Sequence, residues 1–308
     1  MEGMRDLDAA RTAAVLPFAA LVETLERVLP DYLAGRILCP ERQVTQAPVE
    51  GGVLLSMPCA GPDLMCHKLL TVYPDNPAAG RPAIQGQVTC IDGATGRVLF
   101  AMDGPTATGR RTAAVTLVGI RHLLPQAPRR ALIYGTGAQA AAHVLALAET
   151  WPGIGLVIQG RSAGREQAVG ERTGIAVEAA SSGAACDDAD VVILATTARA
   201  PLYDQPARAG RLVVGVGAFR PDMVEIGPVT IGGSALYVDD PAGAPSEAGD
   251  FIQAGVDWER VHPLAEILTG HAPPLDRPIL FKSVGCAAWD LAACHVARQV
   301  MARGTMAV

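Results

Sequence analysis

The spacing of hydrophobic residues along this 308-residue chain changes twice, and each change predicts a different kind of structure. In residues 16–33 apolar side chains recur every three or four positions, which predicts a helix. From Arg42 to Phe100, short β-rich runs alternate with turn dipeptides, which predicts strands joined by hairpins. The predicted strands are residues 53–57, 68–73, 84–91 and 97–102.

After this segment, strand and helix patterns alternate. A helix is predicted over residues 108–124, with Thr108 as its N-cap. Short apolar strands are then predicted at residues 131–134, 156–159, 175–178, 191–194, 212–216 and 235–238, with helices that end at residues 150 and 173. Such alternation predicts a parallel sheet with helices on both faces. A last helix, residues 285–303, is expected to pack back on the N-terminal sheet.

The fold class that follows is α/β: a Rossmann doubly wound parallel sheet domain plus an α+β domain for substrate binding and dimerisation. The expected Rossmann domain covers residues 116–285. The second domain is expected to combine residues 1–115 with residues 286–308.

The amino-acid composition argues against several classes of function. Half of the residues are hydrophobic, 18% are charged and the net charge is −6, which describes a globular protein without the cation clusters of a nucleic-acid binder. No apolar run is long enough to span a bilayer, and the N-terminus lacks the pattern of a signal peptide. The seven cysteines form no CxxC pair, so we expect reduced thiols, a cytoplasmic location and no metal site.

The strongest local motif is a glycine-rich turn between a strand and a helix. The apolar run at 131–134 leads into Gly135-Thr136-Gly137-Ala138-Gln139-Ala140, a GxGxxA pattern. In a dinucleotide fold the first glycine makes the tight turn, the second lets the pyrophosphate approach the backbone, and the small residue lets helix and strand pack closely. The pattern predicts a nicotinamide cofactor on this turn.

The end of the next strand predicts which dinucleotide binds. NAD sites usually carry an acidic residue about 20 residues after the turn, to bind the ribose 2′-hydroxyl. Here Arg161 and Ser162 stand there, with Arg165 close behind. A guanidinium matches the geometry of a 2′-phosphate, so NADPH is the expected cofactor and NADH the alternative.

Several unusual strings in the chain resemble, in order, the motifs of the ornithine cyclodeaminase/mu-crystallin family. They are Cys66-His-Lys68-Leu-Leu-Thr-Val-Tyr-Pro74, Met102-Asp-Gly104, Thr108-Gly-Arg110-Arg111-Thr-Ala-Ala114, the GTGAQA turn, Ala195-Thr-Thr197, Gly215-Val-Gly217-Ala218, and Phe281-Lys-Ser283-Val-Gly285. Cys39-Pro-Glu-Arg42 and Ile84-Gln-Gly86 make the chain most similar to the family's bacterial Δ1-pyrroline-2-carboxylate/Δ1-piperideine-2-carboxylate reductases.

The resemblance implies reduction of these cyclic imino acids to proline and pipecolate, within proline metabolism and hydroxyproline degradation. It implies a homodimer paired through the N-terminal sheet and an active site between the two domains. By family pattern, Arg42, Lys68 and Arg111 bind the substrate carboxylate, and a guanidinium can grip such an anion bidentately. The residues expected near the nicotinamide half of the cofactor are Thr196, Thr197, Val216, Gly217 and Ser283.

One position departs from the family pattern. Cyclodeaminases and alanine dehydrogenases of the family carry an Asp where this chain has Phe219, in the turn after Gly217. A phenyl ring cannot activate an amine, whereas reduction of a preformed imine does not require that step. The departure therefore favours an imine reductase over an ornithine cyclodeaminase or an alanine-type dehydrogenase. A non-enzymatic mu-crystallin-like binder of NADPH is the alternative of another class, and retention of the three cations argues against it.

Other polar residues are expected to be structural. The acids Asp239, Asp240, Glu247 and Asp250 match no calcium loop and are expected to form a solvated loop. His67, His143 and His295 are expected to be structural or surface residues, and Cys66 and Cys286 to be small packing residues.

Overall fold

A computed structural model describes residues 5–180 and 188–304 of the chain. The ends of the predicted second domain, residues 1–4 and 305–308, and Cys186 lie outside the described residues. The chain divides into two compact units. Unit 1 contains Met1–Thr112 and Cys286–Val308, and unit 2 contains Ala113–Gly285.

Unit 1 is built on a six-stranded mixed sheet. Its strands are β1 (Arg5–Leu7), β2 (Gln43–Gln46), β3 (Val53–Ala60), β4 (Leu64–Val72), β5 (Ile84–Asp92) and β6 (Val98–Asp103). The strand order is β1-β6-β5-β4-β3-β2. Every neighbouring pair is antiparallel except β1 and β6, which are parallel. The hairpins predicted from the turn dipeptides are therefore present, although β3 ends three residues later than predicted and β4 begins four residues earlier.

Helices of unit 1 pack on this sheet and on each other. They are α1 (Ala9–Val15), α2 (Phe18–Leu33), the first part of α3 (Gly104–Leu123) and α10 (Ala287–Ala302). The apolar residues of α2, among them Leu21, Leu25 and Leu29, are fully buried, as their spacing predicted. The C-terminal helix α10 packs against α2, β3 and β4, which confirms the expectation that it returns to the N-terminal sheet.

Unit 2 is a parallel sheet of eight strands with the Rossmann connectivity. Its strands are β7 (Arg130–Tyr134), β8 (Gly155–Gln159), β9 (Glu178–Ala179), β10 (Val191–Leu194), β12 (Leu212–Gly215), β14 (Ala235–Val238), β15 (Val261–Pro263) and β16 (Ile279–Lys282). The strand order is β15-β14-β16-β12-β10-β7-β8-β9, and every pair is parallel. The chain reverses its winding between β7 and β10, and a crevice at such a switch point is where open α/β sheets bind ligands. The predicted α/β fold class is confirmed.

Helices and a small sheet complete unit 2. The helices are the rest of α3, α4 (Ala138–Thr150), α5 (Arg165–Thr173), α6 (Pro228–Gly232), α7 (Ala244–Glu247), α8 (Gly249–Ala254) and α9 (Leu264–Leu268). The strands β11 (Arg199–Tyr203) and β13 (Val224–Ile226) form a separate parallel pair. Within the described residues, no helix is long and apolar enough to cross a membrane.

Several local predictions were wrong, each for a physical reason. Thr108 does not cap α3: the helix begins at Gly104, and the Asp103 carboxylate accepts a hydrogen bond from the Thr106 amide. The helix predicted over residues 16–33 begins at Phe18. Pro17 is extended and separates this helix from the shorter α1, which ends at Val15. The strand predicted at 175–178 is only the two-residue β9. The strand β16, which lies between β14 and β12, was not predicted, because the loop before it is rich in proline.

Candidate active site

The centre of the candidate substrate site is Lys68, on the inward face of β4. Side chains alternate along this strand, so Cys66, Lys68 and Leu70 are buried while Leu69 is exposed. His67 lies on the other face, half-buried, with its Nε2 atom 2.9 Å from the Ser56 hydroxyl. Lys68 and His67 therefore point to opposite faces of the sheet.

Lys68 shares one buried carboxylate with Arg111. The Lys68 Nζ atom lies 2.7 Å from Asp290 Oδ2. The Arg111 Nε atom lies 3.3 Å from Asp290 Oδ1. All three side chains are almost completely buried, so removing Asp290 would leave two cations in the core of unit 1 without their shared counter-charge.

Arg42 is half-buried immediately before β2, and its positive charge acts on Lys68. Burial lowers the pKa of Lys68 to about 8, and the charges of Arg111 and Arg42 act in the same direction, while Asp290 raises it. The structure therefore brings the three predicted cations into one electrostatic cluster with one acid. We call Arg42, Lys68, Arg111 and Asp290 the cation cluster.

The two adjacent arginines of α3 have different surroundings. Arg110 donates from Nε to the Leu16 carbonyl at 2.7 Å, and its guanidinium carbon lies 3.9 Å from the centre of the Phe18 ring. These contacts tie α3 to the N-terminal helices. Arg111 faces Asp290 instead, so Arg110 is the structural member of the pair and Arg111 is the candidate for binding an anion.

Asp290 is the member of the cluster that sequence reasoning missed. It lies in the first turn of α10 among buried apolar residues and is itself completely buried. A lone acid on an otherwise apolar helix face is the only sequence signal, because buried carboxylates are almost always paired. Its partners lie in β4 and α3, far away in the sequence, so only the fold identifies them.

In unit 2, the glycine turn joins β7 to α4 at the switch point. Gly135 has a φ of 115°, and a Cβ atom there would lie 2.5 Å from the Ala195 carbonyl oxygen. A Cβ on Gly137, the N-cap of α4, would meet no atom within 4 Å, and no side chain caps this helix. The first amides of α4, from Ala138 onward, are thus open to an anion, which is what a pyrophosphate requires.

The rest of this turn also fits a dinucleotide. The side-chain oxygen of Gln139 is buried and has no hydrogen-bond partner among the described residues, so a hydroxyl of a bound ligand can satisfy it. Thr136 is half-buried, and its carbonyl accepts a hydrogen bond of 2.9 Å from Arg172. Arg172, on the exposed side of α5, was not singled out from the sequence.

The predicted 2′-phosphate residues lie on the loop after β8. Arg161, Ser162 and Arg165 are all exposed. An acid does stand near this loop: Glu166 is buried, and its Oε1 atom accepts a hydrogen bond of 3.0 Å from the Gly160 amide. Its carboxylate is thereby held inside the loop, while the cationic side chains point to solvent.

The residues predicted near the nicotinamide are organised by Glu225, which was also missed. Glu225 is completely buried, and one of its oxygens accepts from the amide and hydroxyl of Thr196, at 2.6 and 2.8 Å. The other accepts from the amides of Gly217 and Ala218, at 2.7 and 2.9 Å. A single carboxylate thus joins the loops that follow β10 and β12. Burial raises the pKa of Glu225, while Lys282 and the Thr196 donors lower it.

The other predicted cofactor residues differ in exposure. Thr197 is exposed, whereas Val216 is buried. Ser283 is buried and donates its hydroxyl to Asp239 at 2.8 Å. Phe219, in the turn where the family pattern has an acid, is 37% exposed. These residues are therefore divided between surface and core.

The prediction of a solvated acidic loop was wrong. Asp239, Asp240 and Asp250 are buried, and each accepts hydrogen bonds from backbone amides or pairs with a cation. Asp239 accepts from the amides of Val284 and Gly285, and Asp250 lies 2.7 Å from the Lys282 ammonium. Among residues 5–180 and 188–304, no group of His, Cys, Asp or Glu is arranged to hold a metal ion.

Histidines take structural positions, as expected. His143 is buried, with Nε2 2.9 Å from the Thr116 hydroxyl and Nδ1 2.7 Å from the Gln139 carbonyl. Burial lowers the pKa of His143 to about 4. It is therefore neutral near pH 7. His295 is half-buried on α10, with Nε2 3.7 Å from Asp63.

Known proteins match this chain over almost its whole length. The sequence profile of the ornithine cyclodeaminase/mu-crystallin family matches residues 7–304. The chain belongs to this family. It is 52% identical over 300 residues to the Δ1-pyrroline-2-carboxylate/Δ1-piperideine-2-carboxylate reductase of Azospirillum brasilense, covering 96% of this chain and 95% of that one. It is 51% identical over 298 residues to the Δ1-pyrroline-2-carboxylate reductase 2 of Burkholderia ambifaria, with the same coverage.

A solved structure of a similar protein has the same fold. The Δ1-pyrroline-2-carboxylate reductase of Thermococcus litoralis, in complex with NADH and L-proline, superposes with a TM-score of 0.87 at 26% identity. The alignment covers 98% of each chain. The family resemblance inferred from the motifs is confirmed.

Proposed function

We propose that this protein reduces Δ1-pyrroline-2-carboxylate and Δ1-piperideine-2-carboxylate to proline and pipecolate. The observation that carries the proposal is the cation cluster, in which Lys68 and Arg111 share the buried carboxylate of Asp290 and the charge of Arg42 acts on Lys68. Such a cluster retains a net positive charge and suits a small planar carboxylate. The predicted enzyme class, an NAD(P)H-dependent oxidoreductase acting on C=N, is confirmed by the names of the relatives.

In this proposal, Arg111 and Arg42 bind the 2-carboxylate, and Asp290 fixes the orientation of Arg111 and Lys68. The ammonium of Lys68 adds charge to the same site, and a pKa of about 8 lets it also give a proton to the imine nitrogen near neutral pH. A bound nicotinamide supplies the hydride that C2 accepts. The chain itself needs no group to activate an amine, which agrees with Phe219 in place of an acid.

For the cofactor, we propose NADPH held by the glycine turn, Gly135 to Gln139, at the N-terminus of α4. The exposed side chains of Arg161, Ser162 and Arg165 support binding of a 2′-phosphate, because the one nearby acid, Glu166, is buried and engaged by Gly160. We propose that Thr196, Thr197, Val216, Gly217 and Ser283 surround the nicotinamide half. NADH remains the alternative cofactor.

We also propose a cytoplasmic homodimer that acts in hydroxyproline degradation. The six described cysteines are free thiols, as a reducing compartment leaves them. Large apolar side chains are exposed on four strands of the unit 1 sheet, Val44, Leu69, Ile84 and Val98, which supports pairing of two copies through this sheet. Light scattering coupled to size-exclusion chromatography tests the dimer.

Steady-state turnover with both imines and both cofactors tests the proposed function. Oxidation of NADPH that depends on the cyclic imine, with proline or pipecolate as product, is the expected result. An alanine-type dehydrogenase would instead oxidise the cofactor with pyruvate and ammonia, and a non-enzymatic binder would bind NADPH without turnover.

A further inference from the structure

Thr108 of α3 carries a buried hydroxyl group that the surrounding protein does not use. Its Oγ1 atom is shielded from solvent and has no hydrogen-bond partner among residues 5–180 and 188–304. Within these residues it is the one hydroxyl oxygen in that condition. Buried polar groups are nearly always hydrogen-bonded, so an exception of this kind requires an explanation. The function proposed above gives this residue no role.

Threonines elsewhere in the chain show how a helix can satisfy such a hydroxyl. A threonine inside a helix can donate to the carbonyl four residues earlier. Thr150 of α4 donates to the Ala146 carbonyl at 2.7 Å, and Thr173 of α5 donates to the Val169 carbonyl at 2.8 Å. Thr108 makes no such bond, so its hydroxyl is available to a group outside its own helix.

The face of α3 that carries Thr108 packs on the sheet of unit 1. A Cβ atom on Gly104 would lie 2.5 Å from a methyl carbon of Leu70 and 2.8 Å from the Gly86 carbonyl oxygen. Seven residues after Gly104, the Nε atom of Arg111 lies 3.3 Å from the acid of the cation cluster. Gly104, Thr108 and Arg111 occupy positions i, i+4 and i+7, which share one face of a helix. Thr108 therefore lies on the sheet-facing side, between these two contacts.

The strand that meets this face of α3 is β4. Leu70 and Lys68 are successive inward residues of this strand, about 6.6 Å apart, and one turn of helix has a similar length of about 5.4 Å. The helix contacts Leu70 at Gly104 and shares a buried acid with Lys68 at Arg111. Thr108 thus lies along the part of β4 that leads from Leu70 to the Lys68 side chain.

We propose that Thr108 binds the substrate, by donating its hydroxyl hydrogen to a carboxylate oxygen of the cyclic imino acid that Arg111 holds. A carboxylate has about four acceptor positions, so a hydroxyl can bind it beside a guanidinium. Hydrogen bonds to an ionised acceptor are about twice as strong as those between neutral groups. This inference rests on the proposed function and names a further residue of the same site.

Thr12 provides a matched control in the same unit. It is completely buried, and its hydroxyl donates to the Leu7 carbonyl at 3.1 Å and accepts from the Asp103 amide at 3.0 Å. Valine is similar to threonine in shape but has no hydroxyl. T12V therefore removes a hydroxyl that holds the fold together, whereas T108V removes one that has no partner within the protein.

The experiment compares the wild type, T108V, T108S and T12V in three measurements. These are thermal unfolding without ligand, the Kd of L-proline for the enzyme saturated with NADPH, and steady-state reduction of Δ1-pyrroline-2-carboxylate. In T108V, KM for the imine and the Kd of proline should rise about 10- to 100-fold, which is the usual effect of losing a hydrogen bond to a charged group. The kcat and the Kd of NADPH should stay nearly constant, because a contact made equally in the ground and transition states changes KM alone.

Thermal unfolding separates a substrate-binding hydroxyl from a structural one. T108V should unfold at the Tm of the wild type or above it, since no partner is left unpaired. T12V should lose about 2 °C or more while its KM stays unchanged. T108S, which keeps the hydroxyl, should retain most of the wild-type affinity for proline.

A T108V protein with the KM and proline affinity of the wild type would overturn the proposal. So would a loss of Tm as large as that of T12V, which would show a structural partner for the hydroxyl. A rise in the Kd of NADPH without one in the Kd of proline would assign the hydroxyl to the cofactor and also overturn it. If the wild type neither reduces the imine nor binds proline, the proposed function fails and this inference fails with it.

Discussion

Lys68 of β4 and Asp290 of α10 form a completely buried ion pair, with 2.7 Å between Nζ and Oδ2. The same carboxylate lies 3.3 Å from Arg111 Nε. Asp290 therefore compensates part of the positive charge that the proposed site uses for its substrate. It also joins β4, α3 and α10 within unit 1 through a single side chain.

Replacing Asp290 with Asn should weaken both substrate binding and folding. Loss of the carboxylate removes the interaction that raises the pKa of Lys68, so that less of this residue is charged at neutral pH. We expect KM for the imine acid to rise at least about tenfold, and the free energy of unfolding to fall by about 3–5 kcal/mol, the usual effect of breaking a buried pair. Steady-state kinetics and denaturant unfolding measure the two effects.

The matched control is D63N, which removes the exposed partner of Arg298. An exposed pair contributes only about 0–1 kcal/mol, so D63N should change little. A D290N protein with the KM and stability of the wild type would show that Asp290 does not hold the cluster.

Titration of Lys68 should make kcat/KM fall and stability rise as the pH increases above 8. Its pKa is lowered from 10.5 to about 8 in the folded protein, so above pH 8 the ammonium is lost and kcat/KM should fall. Between pH 8 and 10.5 the unfolded chain binds more protons at this residue than the native state does. Stability contributed by this residue therefore rises with pH in the same window.

K68R separates these effects from the titration of the substrate, because a guanidinium stays charged throughout this range. In K68R the fall of kcat/KM near pH 8 should disappear, and the rise of stability should be smaller than in the wild type. If the fall persists unchanged in K68R, the titrating group is the imine or another residue.

Replacing Arg161 with Asp should shift the cofactor preference from NADPH toward NADH. The change removes an exposed guanidinium that can bind a 2′-phosphate and introduces a carboxylate that can bind a 2′-hydroxyl. We expect the ratio of kcat/KM for NADPH to that for NADH to fall by at least about tenfold, that is, by about 1.4 kcal/mol of discrimination. The control is R199D, an exposed arginine elsewhere in unit 2. An unchanged ratio in R161D would remove Arg161 from the cofactor site.

Replacing Glu225 should weaken binding of the cofactor, although this residue is not proposed to contact the substrate. Glu225→Gln replaces one acceptor oxygen with an NH2 group, which cannot accept from the amides of Thr196 or Gly217. Leaving such buried donors unpaired costs about 1–3 kcal/mol, so stability should fall and the Kd of NADPH should rise. KM for the imine should change less than the Kd of the cofactor. An E225Q protein that binds NADPH like the exposed control E178Q would contradict this role.

The sequence predicted the architecture well where a pattern is local. The alternation at 131–159 predicted β7, α4 and β8, as the structure has them. Long-range pairing was not predictable in this way. Asp290, Glu225 and Asp250 acquire their roles from partners on other elements, so the sequence around each of them could not identify those partners, and Asp250 was even expected to be solvated.

The most direct test of the central claim compares wild type and R111A for NADPH oxidation with Δ1-pyrroline-2-carboxylate, with proline measured as product. The wild type should form one proline for each NADPH oxidised. R111A should lose a charge-assisted contact of about 2–4 kcal/mol, so kcat/KM should fall about 30- to 1000-fold while the Kd of NADPH stays nearly constant. A wild-type protein that ignores both cyclic imines but converts ornithine to proline and ammonia would contradict the account.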